Sequence, residues 1–188
     1  SGTQVGGASA GAGNVISGNA NRGVQIDGNA NATMGSNVVA GNWIGVGADG
    51  TTALGNTADG ILLYNGANGT TIGGSSALAR NVIAGNHGEG IQVDSSSNVW
   101  IAGNYIGVDA SGNTVLGNTT DGVLLNNGTT NVTIGTDLDG SNDAGEGNVI
   151  SGNAMRGIAL LNASNNTIRG NLIGLDASGT LDRGNAGD

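Results

Sequence analysis

The chain has 188 residues, enough for one domain with a substantial core, and its net charge of −9 with five Arg and no Lys leaves almost nothing to neutralise phosphates, which excludes a nucleic-acid binder. The 39 Gly follow no three-residue period, so the chain is not collagen, and the absence of Cys means that no disulfide staples the fold. No apolar run reaches the roughly 18 residues of a membrane span, so membrane insertion is not expected.

In chain order the predicted elements are all short strands. TQVGG opens the chain, followed by NVI at Asn14, GVQI at Gly23, ATMG near Thr33 and NWI at Asn42. GILL at Gly60, TTIGG at Thr70 and NVI at Asn81 come next, then GIQV at Gly90, NVWIAG at Asn98 and NYI at Asn104. GVLL at Gly122, NVTIG at Asn131, NVI at Asn148, GIAL at Gly157, NNTIRG at Asn165 and NLI at Asn171 complete the series. Triplets such as Ile91-Gln92-Val93 alternate with period two rather than 3.6. Gly and Asn recur every few residues, and each Gly would cost about 1 kcal/mol inside a helix.

The elements repeat. NVISGN at Asn14 to Asn19 returns as NVIAGN at Asn81 and as NVISGN at Asn148, with steps of 67 residues. Extra residues fall at different corners of one plan, around Gly28 to Gly35 and around Asp137 to Gly145. Strands this short, separated by corners of one or two residues, cannot pair within a hairpin, but they can pair with their equivalents one lap further on. The predicted fold is therefore all-β: a parallel β-solenoid with three short strands per coil and about six coils, occupying 1–188 as a single segment. At about 4.8 Å per coil it makes a rod on the order of 30 Å long.

The segments GIQVDSSSNVWIAGNYIG (Gly90 to Gly107) and GIALLNASNNTIRGNLIG (Gly157 to Gly174) resemble the right-handed parallel β-helix repeat of the pectate-lyase-like superfamily. NVISGN, the IGVDASG loop, LGNTTDG and TIGG are similar to repeat arrays of large secreted bacterial surface proteins. The resemblance covers essentially the whole chain. It implies the fold but not the activity, because this fold hosts lyases, hydrolases, tailspikes, adhesins and structural proteins.

Asn14, Asn42, Asn81, Asn104, Asn148 and Asn171 each precede an apolar pair and are expected at sharp left-handed corners, stacked as a hydrogen-bonded ladder. Inward columns are expected from Ile16, Ile44, Ile83, Ile106, Ile150 and Ile173, and from Val24, Ile61, Ile91, Val123 and Ile158. An outward column reads Thr33, Thr71, Trp100, Thr133 and Thr167; regular Thr on a flat face is what an ice-binding solenoid uses, and it is also ordinary strand composition.

Candidate chemistry is sparse. NTADG (Asn56 to Gly60) and NTTDG (Asn118 to Gly122) approach the Asn-Thr-Asp signature of polygalacturonases, but with an inserted residue and without the Asp-Asp, Gly-His-Gly and Arg-Ile-Lys motifs of that family. His87 is the only His, and Glu89 beside it aligns with Arg22 and Arg156, which reads as exposed corner variation. No catalytic residue is assigned. The loop aspartates form sets, Asp49 with Asp59, Asp109 with Asp121, and Asp176 with Asp188. They fit hydrogen-bonded turns, and Asp109, Asp121, Asp49 and Asp59 are the candidate ligands for the one cofactor considered, Ca²⁺. Trp43, Trp100 and Tyr105 are candidate carbohydrate contacts. Seven N-X-Ser/Thr tripeptides, from Asn31 to Asn165, are glycosylation acceptors only in a secretory pathway.

Uniform repeats, with no groove that concentrates exceptions, point to a non-enzymatic extracellular module: a fibre, stalk, adhesin or filament subunit. Ser1 is not Met, the chain opens inside a repeat and it stops at GNAGD, so it reads as an excised segment. Its partners are then itself or flanking repeats end to end, with cell-surface polysaccharide as a further candidate. The rival is a polysaccharide-binding or polysaccharide-degrading β-helix protein.

Overall fold

The computed structural model describes residues 2–29 and 36–187. The first coil holds β1 (Gln4–Gly6), β2 (Val15–Ile16) and β3 (Val24–Asp27), and the second holds β4 (Val38–Ala40), β5 (Trp43–Ile44) and β6 (Ile61–Tyr64). β7 (Thr71–Gly73), β8 (Val82–Ile83) and β9 (Ile91–Asp94) make the third, and β10 (Trp100–Ala102), β11 (Tyr105–Ile106) and β12 (Val123–Asn126) the fourth. The fifth has β13 (Thr133–Gly135), β14 (Val149–Ile150) and β15 (Ile158–Leu161), and β16 (Thr167–Arg169) and β17 (Leu172–Ile173) begin a sixth. Equivalent strands pair in parallel into three sheets: β1-β4-β7-β10-β13-β16, β2-β5-β8-β11-β14-β17 and β3-β6-β9-β12-β15. The all-β solenoid with three strands per coil is therefore as expected, with five complete coils and two strands of a sixth among the described residues. The expected strand ATMG near Thr33 lies outside them, and β4 is the second-coil strand of that sheet.

Period-two alternation builds the core. In β9, Ile91 and Val93 are buried while Gln92 and Asp94 are half-buried on the outer face. Register then stacks like on like: Ile16, Ile44, Ile83, Ile106, Ile150 and Ile173 share one column, and Val24, Ile61, Ile91, Val123 and Ile158 another. The middle coils bury these residues fully, each worth about 1.5–3 kcal/mol. At the last coil the columns reach the surface, with Leu160 and Ile173 each 42% exposed and Ile168 40%.

The corners are made by asparagine. Between the first and second sheets, Asn14, Asn42, Asn81, Asn104, Asn148 and Asn171 form the expected ladder, each Nδ2 donating to the next Oδ1 at 2.9–3.0 Å. The expectation that these asparagines are themselves left-handed is corrected. None of them has positive φ; Gly41, Gly103 and Gly170, immediately before three of them, do. Left-handed asparagines sit instead after the third-sheet strands, at Asn65, Asn127 and Asn162, with φ of 51–57°.

A second ladder, not foreseen, occupies the corner between the second and third sheets. Asn19, Asn56, Asn86, Asn118, Asn153 and Asn185 donate Nδ2 to Oδ1 in sequence at 2.7–3.0 Å. At this same corner the even-numbered coils carry the segment that includes the IGVDASG loop. It is a small hairpin inside one coil: Val46 faces Ala53, Val108 faces Val115 and Leu175 faces Asp182 across antiparallel bridges. The hairpins, two coils apart, touch one another. Ala110 N donates to Gly50 O, and Ala177 N to Gly112 O, both at 2.9 Å.

Candidate functional site

The position two residues before the start of each third-sheet strand carries a charged side chain in every coil. Register places Arg22, Asp59, Glu89, Asp121 and Arg156 at equivalent points of five successive coils, each two residues before the paired Val24, Ile61, Ile91, Val123 and Ile158. Arg22 Nε donates to Asp59 Oδ2 at 3.0 Å. Arg156 grips Asp121 with both ends of its fork, Nε to Oδ1 and Nη2 to Oδ2 at 3.0 Å, while its backbone N–H donates to Oδ1 at 2.9 Å. Asp59 and Asp121 are buried, and in each case a guanidinium compensates the loss of water.

Glu89 stands between them and forms no ion pair among the described residues. Its N–H donates to Asp59 Oδ1 at 3.3 Å. Burial first, then hydrogen bonding to Asp59 and repulsion from Asp59 and Asp121, pushes its carboxyl up to about 7. The expectation of exposed corner variation is thus corrected: Glu89 is half-buried in a stacked column, whereas His87, two residues before it, is exposed.

The four residues considered for Ca²⁺ fall into two structural classes. Asp59 and Asp121 belong to the column and bond to arginines. Asp49 and Asp109 close their own hairpins. Asp49 Oδ1 accepts from the N–H groups of Thr51 and Thr52 at 3.0 and 2.9 Å, and Asp109 Oδ1 from those of Asn113 and Thr114 at 3.2 Å. Asp176 does the same for Thr180 and Leu181 at 3.1 Å; its expected companion Asp188 lies outside the described residues. The Thr52 hydroxyl and these amides hold Asp49 well below the usual carboxylate range. For Asp109 burial opposes ionisation, but the Ser111 hydroxyl and the turn amides outweigh it; for Asp176 the Leu181 amide leads the lowering. Among the described residues, carboxylates close enough to share a cation occur elsewhere, in the excursion between β13 and β14. One oxygen from each of Asp137, Asp139, Asp143 and Glu146 lies within 4.8 Å of the others, and Glu146 Oε2 accepts the Asp137 N–H at 3.1 Å.

Two of the three aromatic candidates share a face and the third does not. Trp43 and Tyr105 point out from the second sheet and lie against the hairpins at Gly50 and Gly112. The Arg80 guanidinium carbon sits 4.0 Å from the Tyr105 ring centroid. Trp100 is on the first sheet, and its Nε1 donates to Gly135 O at 2.9 Å. The threonine column is shorter than expected. Thr33 lies outside the described residues, and register places Val38 beside Thr71, with Trp100 between Thr71 and Thr133.

What the site offers chemically is a half-buried carboxyl, Glu89, pushed up to about 7 chiefly by burial, next to the arginine-bonded Asp59. A family model described as "Right handed beta helix region" matches residues 48–174, more than half of the chain. No curated protein and no solved structure matches.

Proposed function

The chain belongs to the right-handed β-helix family, and from that premise we propose that it is a non-catalytic structural module, a solenoid segment of an extracellular fibre, stalk, adhesin or filament. The observation that carries this reading is the two asparagine ladders running unbroken through every coil, Asn14 to Asn171 and Asn19 to Asn185. An array of that kind transmits one register along its axis, which suits a spacer. The hairpin aspartates support it too, because their oxygens are engaged by their own turns. The exposed Leu160, Ile168 and Ile173 at the last coil suit burial by a further coil, from flanking repeats or from a second copy. Electron microscopy at increasing concentration tests this: rods that join axially support stacking, and short monodisperse rods without axial contacts overturn it.

One observation favours a second reading, a polysaccharide-degrading role. Glu89, half-buried beside Asp59 with its carboxyl pushed up to about 7, is the kind of proton donor that general acid catalysis requires. Screening on acidic polysaccharides, with and without Ca²⁺, separates the readings. Turnover that disappears in Asp121→Ala or Glu89→Gln variants with intact coils would replace the structural proposal by the enzymatic one.

A further inference from the structure

The corner between the first and second sheets carries excursions on alternate coils, at residues 7–13, 74–80 and 136–147, with the single residues Gly41, Gly103 and Gly170 in the coils between. The third- and fifth-coil excursions meet over Gly103: its N–H donates to Glu146 O at 2.7 Å, and Gly145 lies against the Ser75 carbonyl. The first- and third-coil excursions do not close in this way. They leave a groove of about 330 Å³ over Gly41, lined by Val15, Trp43, Ala77, Leu78 and Arg80 among others. The three most exposed large apolar side chains among the described residues all belong to this edge: Leu138 at 58%, Leu78 at 55% and Val15 at 51%. Two of them border the groove, and the third, Leu138, belongs to the fifth-coil excursion.

The groove and that excursion are opposite in charge. No carboxylate lines the groove. Its cation, Arg80, donates Nε to Gly103 O at 3.0 Å and sets its guanidinium carbon 4.0 Å from the Tyr105 ring centroid. The outer nitrogens of that guanidinium make no hydrogen bond or ion pair among the described residues. Leu138, by contrast, is flanked by Asp137 and Asp139. With Asp143 and Glu146 they bring four carboxylate oxygens within 4.8 Å of one another, and none of the four pairs with an arginine. Leu138 itself has φ of 62°, a region that residues with a Cβ rarely adopt, and its N–H is anchored on Thr136 Oγ1 at 3.1 Å.

We infer that this edge docks a second copy of the chain: Leu138 of each copy sits against Val15, Trp43 and Leu78 of the other, and its flanking aspartates face Arg80. The groove is centred on the second coil and the excursion belongs to the fifth, about 14 Å away along one edge. A twofold axis crossing that edge between the third and fourth coils brings each excursion onto the other copy's groove, so both contacts form at once and the pair closes as a dimer. The contact takes from water the apolar side chains that each copy exposes most. The net charge of −9 opposes unguided association and favours the one arrangement that lays the acidic excursions on the arginines. It uses the flank of the solenoid and not its last coil, so it holds or fails independently of axial joining.

The test is sedimentation velocity of the whole chain from micromolar to millimolar concentration, in buffer treated with EDTA so that no divalent cation occupies the excursion carboxylates. The indole N–H resonances of Trp43 and Trp100 are followed by NMR on dilution. The expected mass rises from 18.1 kDa toward twice that value. The Trp43 signal shifts on dilution and that of Trp100, whose Nε1 donates to Gly135 O on the first sheet, does not. Raising salt from about 0.05 M to about 0.5 M weakens the association. Leu138→Ser and Arg80→Glu each weaken it about tenfold or more, while Leu181→Ser, at a leucine 50% exposed on a hairpin, leaves it unchanged. Should Arg80→Glu fold poorly for want of its Tyr105 contact, Leu138→Ser decides. A single-chain mass at every concentration overturns the inference. So does association that Leu138→Ser leaves intact, that Leu181→Ser weakens equally, or that shifts Trp100 and not Trp43. Rods that join only end to end, equally in the wild type and in Leu138→Ser, leave axial joining standing and overturn this pairing.

Discussion

Asn86 Nδ2 donates to Asn118 Oδ1 across 3.0 Å, although one asparagine precedes His87 in a tight corner and the other precedes Thr119 after a nine-residue hairpin extension. Asn86 Oδ1 in turn accepts both the backbone N–H and the Nδ2 of Asn56, at 3.3 and 2.8 Å. Replacing Asn86 by Ala removes a link from the middle of a buried ladder and takes the acceptor from the Asn56 backbone N–H, while Asn118 Oδ1 keeps the backbone N–H of residue 86 and Asn56 Nδ2 keeps Ile16 O. The expected loss is about 2–4 kcal/mol, against about 1 kcal/mol for Asn171→Ala at the open end. Denaturant titration of both variants checks the ordering.

Asp121 is 2% exposed and depends on the Arg156 fork. Arg156→Ala strands its charge, and the expected cost is about 2–3 kcal/mol, reduced from the fully buried case because the arginine side chain is 36% exposed. Asp121→Asn in the Arg156→Ala background restores part of it, so a double-mutant cycle by chemical denaturation gives a favourable coupling between the two residues.

The hairpins answer to acid. Asp109 and Asp176 have lowered values when folded, so the stability they contribute is present above about 3.9 and is lost as pH falls through the folded values. Hydrogen exchange at the Thr114 and Leu181 amides is expected to lose protection as pH falls below the ordinary Asp range, through the lowered folded values, while the core amide of Ile106 stays protected. Asp109→Asn and Asp176→Asn remove this acid step.

Gly112 and Gly179 hold the same hairpin position with nearly the same φ, 74° and 71°. A Cβ at Gly112 would stand 2.6 Å from the Ala177 Cβ and 2.8 Å from Tyr105 Cε2, whereas one at Gly179 meets nothing closer than Leu172 at 3.5 Å. Gly179→Ala therefore costs only the left-handed backbone penalty, about 1 kcal/mol, and Gly112→Ala adds steric overlap for about 1–3 kcal/mol more. At about 2–4 °C of Tm per kcal/mol, calorimetry resolves the two.

The sequence made the strands, their columns and the first ladder legible because each carries a constant local signature, Asn before an apolar pair and Gly before a GVLL-like run. The second ladder lacks one. Asn56 and Asn118 sit in LGNT, while Asn19, Asn86 and Asn153 sit in SGN or AGN, and the two sets lie at different distances from the preceding Ile. They therefore read with Asp59 and Asp121 as pieces of a catalytic-looking motif. The charged column was hidden for a related reason: its members change chemistry from coil to coil, and Glu89 was matched with Arg22 and Arg156 but not with the aspartates of the even coils. Only the register across unequal corners brings Arg22, Asp59, Glu89, Asp121 and Arg156 together.

The contact between hairpins on alternate coils sets the unit in which such a chain can lengthen. Ala110 rests on Gly50 and Ala177 on Gly112 because one plain coil separates each pair, and the Leu54, Leu116 and Arg183 carbonyls accept from Gly18, Gly85 and Gly152 of those plain coils. Removing a single coil would bring two hairpins onto neighbouring coils with no short corner between them. Adding one plain coil would pull them out of reach. A change of length that preserves the outer row would have to add or remove a pair of coils, a double turn, and the NVISGN-type motifs, one to each double turn, stand 67 residues apart.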